Sequence, residues 1–145
     1  MNIKKIQKIV PQLLVLIGII IIVIHAISGI KKYLAFNVAV KKVGDFIGTL
    51  DEFLFKNVLD SILSNSVVAT LGTLINSIIG LIIATVLTYY FVKVSTKPVK
   101  NSYVIITILG GLAVVFNFGL GGLFVIAGGL FGANYASGKI KNVFK

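Results

Sequence analysis

One stretch of 34 residues, from Tyr103 to Ala136, carries no charged side chain and constrains the fold more than any other part of the chain. The hydrocarbon core of a bilayer is about 30 Å thick and takes about 20 helical residues, so this stretch is too long for one crossing. Its middle is rich in residues that permit a tight turn, namely Asn117, Gly119, Gly121 and Gly122. The sequence therefore predicts a tight hairpin of two short spans, about 103–117 and 120–136.

The composition indicates an integral membrane protein. Hydrophobic residues make up 57% of the 145 residues and charged residues only 12%, which is too little polar surface for a water-soluble core of this size. The net charge of +10 comes from lysines in small groups beside apolar runs. Orientation signals and contacts with membrane lipids have that placement, whereas nucleic-acid binding is not indicated. Cysteine is absent, which excludes disulfides and thiol catalysis, and no cofactor is expected.

Two longer apolar runs predict two further spans, at about 9–30 and 67–92. The first follows a basic start and has Pro11 in its first turn, where the missing N–H costs nothing. A secretory signal peptide is the alternative for this run, because Ala26-Ile27-Ser28 resembles a cleavage site. The run exceeds the usual signal core of about 7–15 residues, which favours a membrane anchor.

The segment 31–66 is the one stretch that mixes charges, and it contains all four acidic residues of the chain. Its apolar residues recur at helical spacing with charges mostly between them, which predicts one or two amphipathic helices at the membrane surface or over the other spans. Gly44 and Gly48 predict a break in this segment.

The distribution of charge predicts the topology. With a hairpin, the N-terminus, the loop at 93–101 and the C-terminal tail share one side of the membrane, with nine lysines and no acid. The other side then has five lysines and four acids, so the positive-inside rule places both termini in the cytoplasm. The five tyrosines all fall at predicted span ends, where amphipathic rings settle. We therefore predict an all-α, four-helix membrane bundle that forms a single domain over 1–145, with an extracytoplasmic amphipathic segment at 31–66.

Small residues recur at every fourth position on two of the spans, and this spacing lets membrane helices approach closely. The predicted packing interface consists of Gly72, Asn76, Gly80, Ala84 and Thr88 on the second span and Gly128, Gly132 and Ala136 on the fourth. For Asn76, a hydrogen bond between helices is the favoured interpretation over a polar path.

Residues that could carry chemistry are few. His25 is the only histidine and lies inside a predicted span, which makes it a possible polar site, although a position near headgroups or water explains it more simply. No histidine accompanies the acids Asp45, Asp51, Glu52 and Asp60, so a solvated face is the ordinary interpretation and no metal site is expected, with an extracytoplasmic divalent-ion site built from oxygen ligands as the less favoured alternative. The glycine doublets lie among aliphatic residues and do not form a phosphate-binding loop. The sequence therefore predicts that the protein is not an enzyme.

The runs Ile108-Leu109-Gly110-Gly111-Leu112 and Gly121-Gly122-Leu123-Phe124-Val125 occur within this four-span layout. The pattern is similar to that of a group of small four-span membrane proteins of Gram-positive bacteria whose function is unknown. This resemblance implies a bacterial cytoplasmic membrane and supplies no functional residues.

Three classes of function fit these features. The favoured class is a non-catalytic accessory or regulatory subunit, with a membrane-protein partner or a second copy of the chain. The second is a self-assembling, holin-like pore. The third is an enzyme or carrier that acts on lipids through the acidic segment.

Overall fold

The computed structural model describes residues 3–47 and 56–138, and the regular structure in those ranges is entirely α-helical. Four helices follow one another along the chain: α1 (Ile3–Ile47), α2 (Lys56–Thr96), α3 (Lys100–Val115) and α4 (Gly119–Ala136). The predicted all-α fold with four helices is confirmed, and the architecture agrees with a helical bundle.

Three helices contain segments long and apolar enough to cross a membrane: Lys8–Val43, Ser66–Thr96 and Gly119–Ala136. Helix α3 is apolar but has only 16 residues, which makes it about 24 Å long at 1.5 Å per residue. Three apolar helices of spanning length are characteristic of an integral membrane protein.

Helices α1 and α2 are longer than the predicted spans, with 45 and 41 residues, or about 67 and 61 Å. The described part of the segment 31–66 is not made of separate helices, because residues 31–47 continue α1 and residues 56–66 begin α2. The predicted break is absent at Gly44, which lies within α1, while Gly48 lies outside the described residues. One glycine destabilises a helix by about 1 kcal/mol relative to alanine, which is too little to end a helix that continues on both sides of it.

Pro11 lies in the interior of α1 and not in its first turn, because the helix begins already at Ile3. A proline in this position removes one backbone hydrogen bond of the helix. Its own carbonyl oxygen faces the site where a Cβ on Gly128 would lie, at 2.7 Å, so this turn of α1 packs closely on α4.

The chain divides into two compact units. The two-helix unit is Ala26–Ile78, and in its described residues only Ala26, Gly29 and Ser77 are buried. Gly29 of α1 lies directly against Ser77 and Thr73 of α2. Small residues therefore form the helix contact in this unit, and the large apolar side chains point outward. The glycine-packed unit comprises Met1–His25 and Ile79–Lys145.

In the glycine-packed unit, α4 lies between α1 and α3. Two glycine pairs, Gly121-Gly122 and Gly128-Gly129, are seven residues apart, or about two helical turns. The first glycine of each pair faces α1, where Gly121 meets Gly18 and Ile22, and Gly128 meets Pro11 and Val15. The second glycine of each pair faces α3, where Gly122 meets Gly110 and Val114, and Gly129 meets Tyr103 and Thr107. Both sides of α4 thus present bare backbone to a neighbouring helix.

The turn between α3 and α4 differs from its predicted position. Asn117 is in the left-handed conformation with a φ of 67°. The Asn117 N–H donates to the Val114 carbonyl at 3.0 Å, and the Phe118 N–H donates to the Ala113 carbonyl at 2.8 Å, which is a Schellman motif with asparagine in place of the usual glycine. Of the predicted turn glycines, Gly119 is the first residue of α4, while Gly121 and Gly122 lie inside it. The last two glycines are needed for helix contact and not for the turn.

The glycine contacts lead to a prediction about stability. A Cβ added at Gly122 would lie 2.7 Å from the Gly110 carbonyl oxygen, so α3 and α4 must separate. We expect Gly122→Ala and Gly128→Ala each to lower the free energy of unfolding in detergent by about 1–3 kcal/mol. Titration of mixed micelles with dodecyl sulfate, followed by circular dichroism, measures this change.

Gly111→Ala and Gly119→Ala are the matched controls, because a Cβ at either position meets nothing within 4 Å. Alanine should stabilise these helical positions by about 0.5–1 kcal/mol or leave them unchanged. Equal losses in all four variants would contradict glycine-mediated contact.

Candidate interaction site

The predicted small-residue stripe on α2 is covered by the protein only in part. Gly80 lies directly under the ring of Phe118, which is 4% exposed, and Ala84 is 3% exposed. The Phe118 ring fills the space that the missing Gly80 side chain leaves. Gly80 therefore receives the turn between α3 and α4, and Ala84 is buried within the same glycine-packed unit.

The remaining stripe residues on α2 are exposed. A Cβ on Gly72 would meet nothing within 4 Å, and the side chains of Asn76 and Thr88 are exposed. Ala69, one turn before Gly72, is exposed as well. We call Ala69, Gly72 and Asn76 the open α2 face. The predicted role of Asn76 in a hydrogen bond between helices stays a prediction.

The predicted stripe on α4 divides between two partners. Gly128 faces α1, whereas Gly132 lies directly against the ring of Tyr103 on α3. Ala136, the last residue of α4, is half-buried. Every-fourth spacing drifts about 40° around a helix per step, so successive members of such a stripe reach different neighbours.

His25, the possible polar site, is exposed and makes an aromatic contact. Its ring centroid lies 5.5 Å from that of Phe118, with 75° between the ring planes, which is an edge-to-face arrangement. Such a pair typically contributes about 0.5–1.5 kcal/mol. The contact with His25 of α1 therefore stabilises the position of the Phe118 ring.

The structure does not describe the side chains of the four acidic residues. Asp45 and Asp60 belong to α1 and α2, but their side chains lie outside the described part of the structure, as do Asp51 and Glu52 entirely.

A polar contact that the sequence did not reveal joins α1 to the end of α2. The Gln12 Nε2 donates to the Val94 carbonyl oxygen at 3.3 Å. In an α-helix this carbonyl would accept from the N–H of residue 98, which is Pro98 and has none. Gln12 thus supplies the donor that the proline removes. In the sequence, only Pro98, four residues after Val94, indicates a carbonyl that lacks its helical donor.

Tyr103 lies beside Gln12, and its ring is completely buried among the helices of the glycine-packed unit. The ring packs on Gly132, and the hydroxyl lies near the Gln12 side chain without a hydrogen bond of good geometry to any described residue. A buried hydroxyl without a partner costs about 1–3 kcal/mol. The other described tyrosines are half-buried or exposed, as an interfacial ring would be.

Five hydroxyl groups in the middle of α2 bond to the backbone of their own helix. Thr70, Thr73, Ser77, Thr85 and Thr88 each donate to the carbonyl four residues earlier, at 2.6–3.1 Å. Such bonds let polar side chains lie in an apolar environment without partners on other helices. These groups therefore do not require a polar ligand or a neighbouring helix.

Comparisons of the chain with protein-family models, with curated proteins and with solved structures gave no match. The resemblance to four-span proteins of Gram-positive bacteria stays a prediction.

The Gln12 contact leads to a prediction with opposite outcomes for two variants. Gln12→Ala leaves the Val94 carbonyl without a donor and should lower the free energy of unfolding by about 1–2 kcal/mol. Tyr103→Phe removes only an unpaired hydroxyl, so it should leave stability unchanged or raise it. Tyr89→Phe, at a side chain that is 64% exposed, is the control and should have no effect.

Dodecyl sulfate titration of the purified chain in mixed micelles measures all three variants. A loss above about 1 kcal/mol in Tyr103→Phe would show instead that the hydroxyl is hydrogen-bonded in the folded protein.

Proposed function

We propose that the chain is a multi-pass protein of the bacterial cytoplasmic membrane, with four spans and both termini in the cytoplasm. Its support is the apolar length of α1, α2 and α4, together with the grouping of nine lysines and no acid at the chain ends and in the loop between α2 and α3. Helix α3 would cross together with α4 as a hairpin. Contacts through Gly110, Gly122 and Gly129 along both helices support that arrangement.

In this membrane the chain acts as a non-catalytic accessory or regulatory subunit of a membrane-protein complex. The observation that carries this proposal is the open α2 face, where Gly72 leaves backbone uncovered and the Asn76 amide is exposed. Lipid can cover such a face but cannot bond to an amide, whereas a second helix can pack on the glycine and bond to the asparagine. A protein partner therefore satisfies this surface better than lipid does.

The alternative is a self-assembling pore. A pore needs polar groups that face water, but the α2 hydroxyls listed above bond to their own backbone, and the exposed side chains around them are largely aliphatic, such as Ile75, Ile78 and Ile82. Ion conductance of the purified chain in planar bilayers would reverse this ranking.

Partner capture tests the subunit proposal. A Cβ at Gly72 meets nothing within 4 Å, so we expect Gly72→Leu to fold, to fill the open α2 face and to lose the partner that co-purifies with the unaltered chain in mild detergent. Gly111→Leu makes the same change on α3, also in open space, and should keep the partner. Quantitative mass spectrometry of chemically cross-linked membranes gives the ratio of partner to chain.

We expect the ratio for Gly72→Leu to fall at least about tenfold, which corresponds to about 1.4 kcal/mol of binding free energy. Recovery of the unaltered chain as a monomer alone would disprove the subunit proposal. Recovery as a homodimer that Gly72→Leu dissociates would identify a second copy as the partner.

The topology has an independent test. Cysteine replaces Gly119, which is exposed beside the turn after α3, or Lys97, which is exposed in the loop between α2 and α3. In intact cells a membrane-impermeant maleimide should label the Gly119→Cys variant and spare the Lys97→Cys variant until the cells are opened. Labelling of both positions from the same side would rule out the hairpin.

A further inference from the structure

Four lysines surround the place where α2 ends and α3 begins. Helix α2 ends at Thr96 and α3 starts at Lys100, so Lys97 lies in the connection and Lys93 lies one turn before it. The Lys97 N–H donates to the Lys93 carbonyl at 3.0 Å, which keeps the two residues together. The side chains of Lys93, Lys97 and Lys100 are all exposed.

A fourth lysine, Lys8, lies near the beginning of α1, the helix that contacts the end of α2 through Gln12. Gln12 bonds to the Val94 carbonyl, and Lys8 precedes Gln12 by one turn on the same face of α1. Lys8 is half-buried. We call Lys8, Lys93, Lys97 and Lys100 the basic corner.

No acidic residue of the chain can neutralise the basic corner from within the same unit. All four acids lie between Asp45 and Asp60, outside the ranges 1–25 and 79–145 that form the glycine-packed unit. Lysines in this arrangement repel one another unless anions from outside the unit bind to them. The glycine-packed unit therefore supplies no acidic side chain to balance the charge of the basic corner.

The surroundings of the basic corner match a membrane interface. The Lys93 ammonium lies 5.9 Å from the ring centroid of Tyr90, a cation–π arrangement, and the Tyr90 ring meets Tyr89 edge to face at 5.2 Å. Tyrosines settle at the level of lipid headgroups. Exposed valines at positions 92, 99 and 104 border the lysines, where acyl chains can cover them. Lipid phosphate groups lie at the same level as interfacial tyrosines.

We infer that the basic corner binds the headgroups of anionic phospholipids. The inference depends on the proposed membrane insertion and extends it to a lipid class. Lysine holds phosphate as a compact charge without the planar geometry that arginine imposes, so headgroups such as phosphatidylglycerol fit it. Each lysine near an anionic surface strengthens binding, and the effect falls as salt screens the charges.

The test uses the full chain in nanodiscs made from equal amounts of phosphatidylglycerol and phosphatidylcholine. After mild detergent extraction, mass spectrometry measures the ratio of the two lipids that stay with the protein. For the triple variant Lys93→Gln, Lys97→Gln and Lys100→Gln, we expect the phosphatidylglycerol preference to fall at least about threefold. The triple variant Lys31→Gln, Lys32→Gln and Lys41→Gln loses the same charge at exposed positions of α1 and should keep the preference.

Equal losses in the two triple variants, or no loss in either, would overturn the inference, because net charge and not the corner would then decide lipid binding. Displacement of phosphatidylglycerol by inorganic phosphate, but not by chloride at equal ionic strength, would show a site for free phosphate instead. Circular dichroism checks that each variant folds. Failure of the unaltered chain to enter nanodiscs would disprove the proposed membrane location, whereas an inserted chain without lipid preference would disprove this inference alone.

Discussion

The glycine-packed unit depends on how closely the backbone of α4 approaches its two neighbours. Helices in water associate by burying large apolar side chains, but lipid tails are as apolar as leucine and remove that driving force. What remains is van der Waals contact, which is weak for each atom pair and needs many atoms at short range. The glycine pairs at 121–122 and 128–129 provide this on both sides of α4, and their spacing of about two turns keeps each side aligned with one neighbour.

Close approach at the glycines also determines where the large side chains lie. Val125 is fully buried and touches both the Gly18 and the Gly110 positions, so one valine fills the space between three helices. The rings of Phe118 and Tyr103 lie over Gly80 and Gly132 in the same manner. Each of these three side chains faces a glycine on another helix, which gives dense packing without many bulky residues. Removing such a glycine would therefore displace an aromatic or branched residue as well as a helix.

Sequence patterns predicted the helical class and the importance of the glycines, because the absence of charge and the spacing of glycines can be read directly from the sequence. They could not distinguish a turn glycine from a packing glycine: Gly121 and Gly122 are adjacent to the turn, and only their neighbours on α1 and α3 show why they lie inside α4. The length of α1 was missed for another reason. Lys31 and Lys32 mark the end of an apolar span, but a charge does not interrupt backbone hydrogen bonds, so the helix continues to Ile47. The burial of Tyr103 depends on Gly132, 29 positions away, and no local pattern contains that information.

Some polar groups of the helices form hydrogen bonds within the chain, and others are exposed at its surface. The hydroxyls between Thr70 and Thr88 of α2 bond to their own backbone. Gln12 bonds to the carbonyl that Pro98 leaves without a donor, and two backbone hydrogen bonds close the turn at Asn117. The side chains of Asn76 and of Lys93, Lys97 and Lys100 in the basic corner are exposed. An amide beside a bare glycine suits the backbone and polar side chains of another helix, whereas clustered ammonium groups suit phosphate. The proposed subunit role draws on the first surface and the inferred lipid binding on the second, and because they lie on different units, each can be altered while the other is kept.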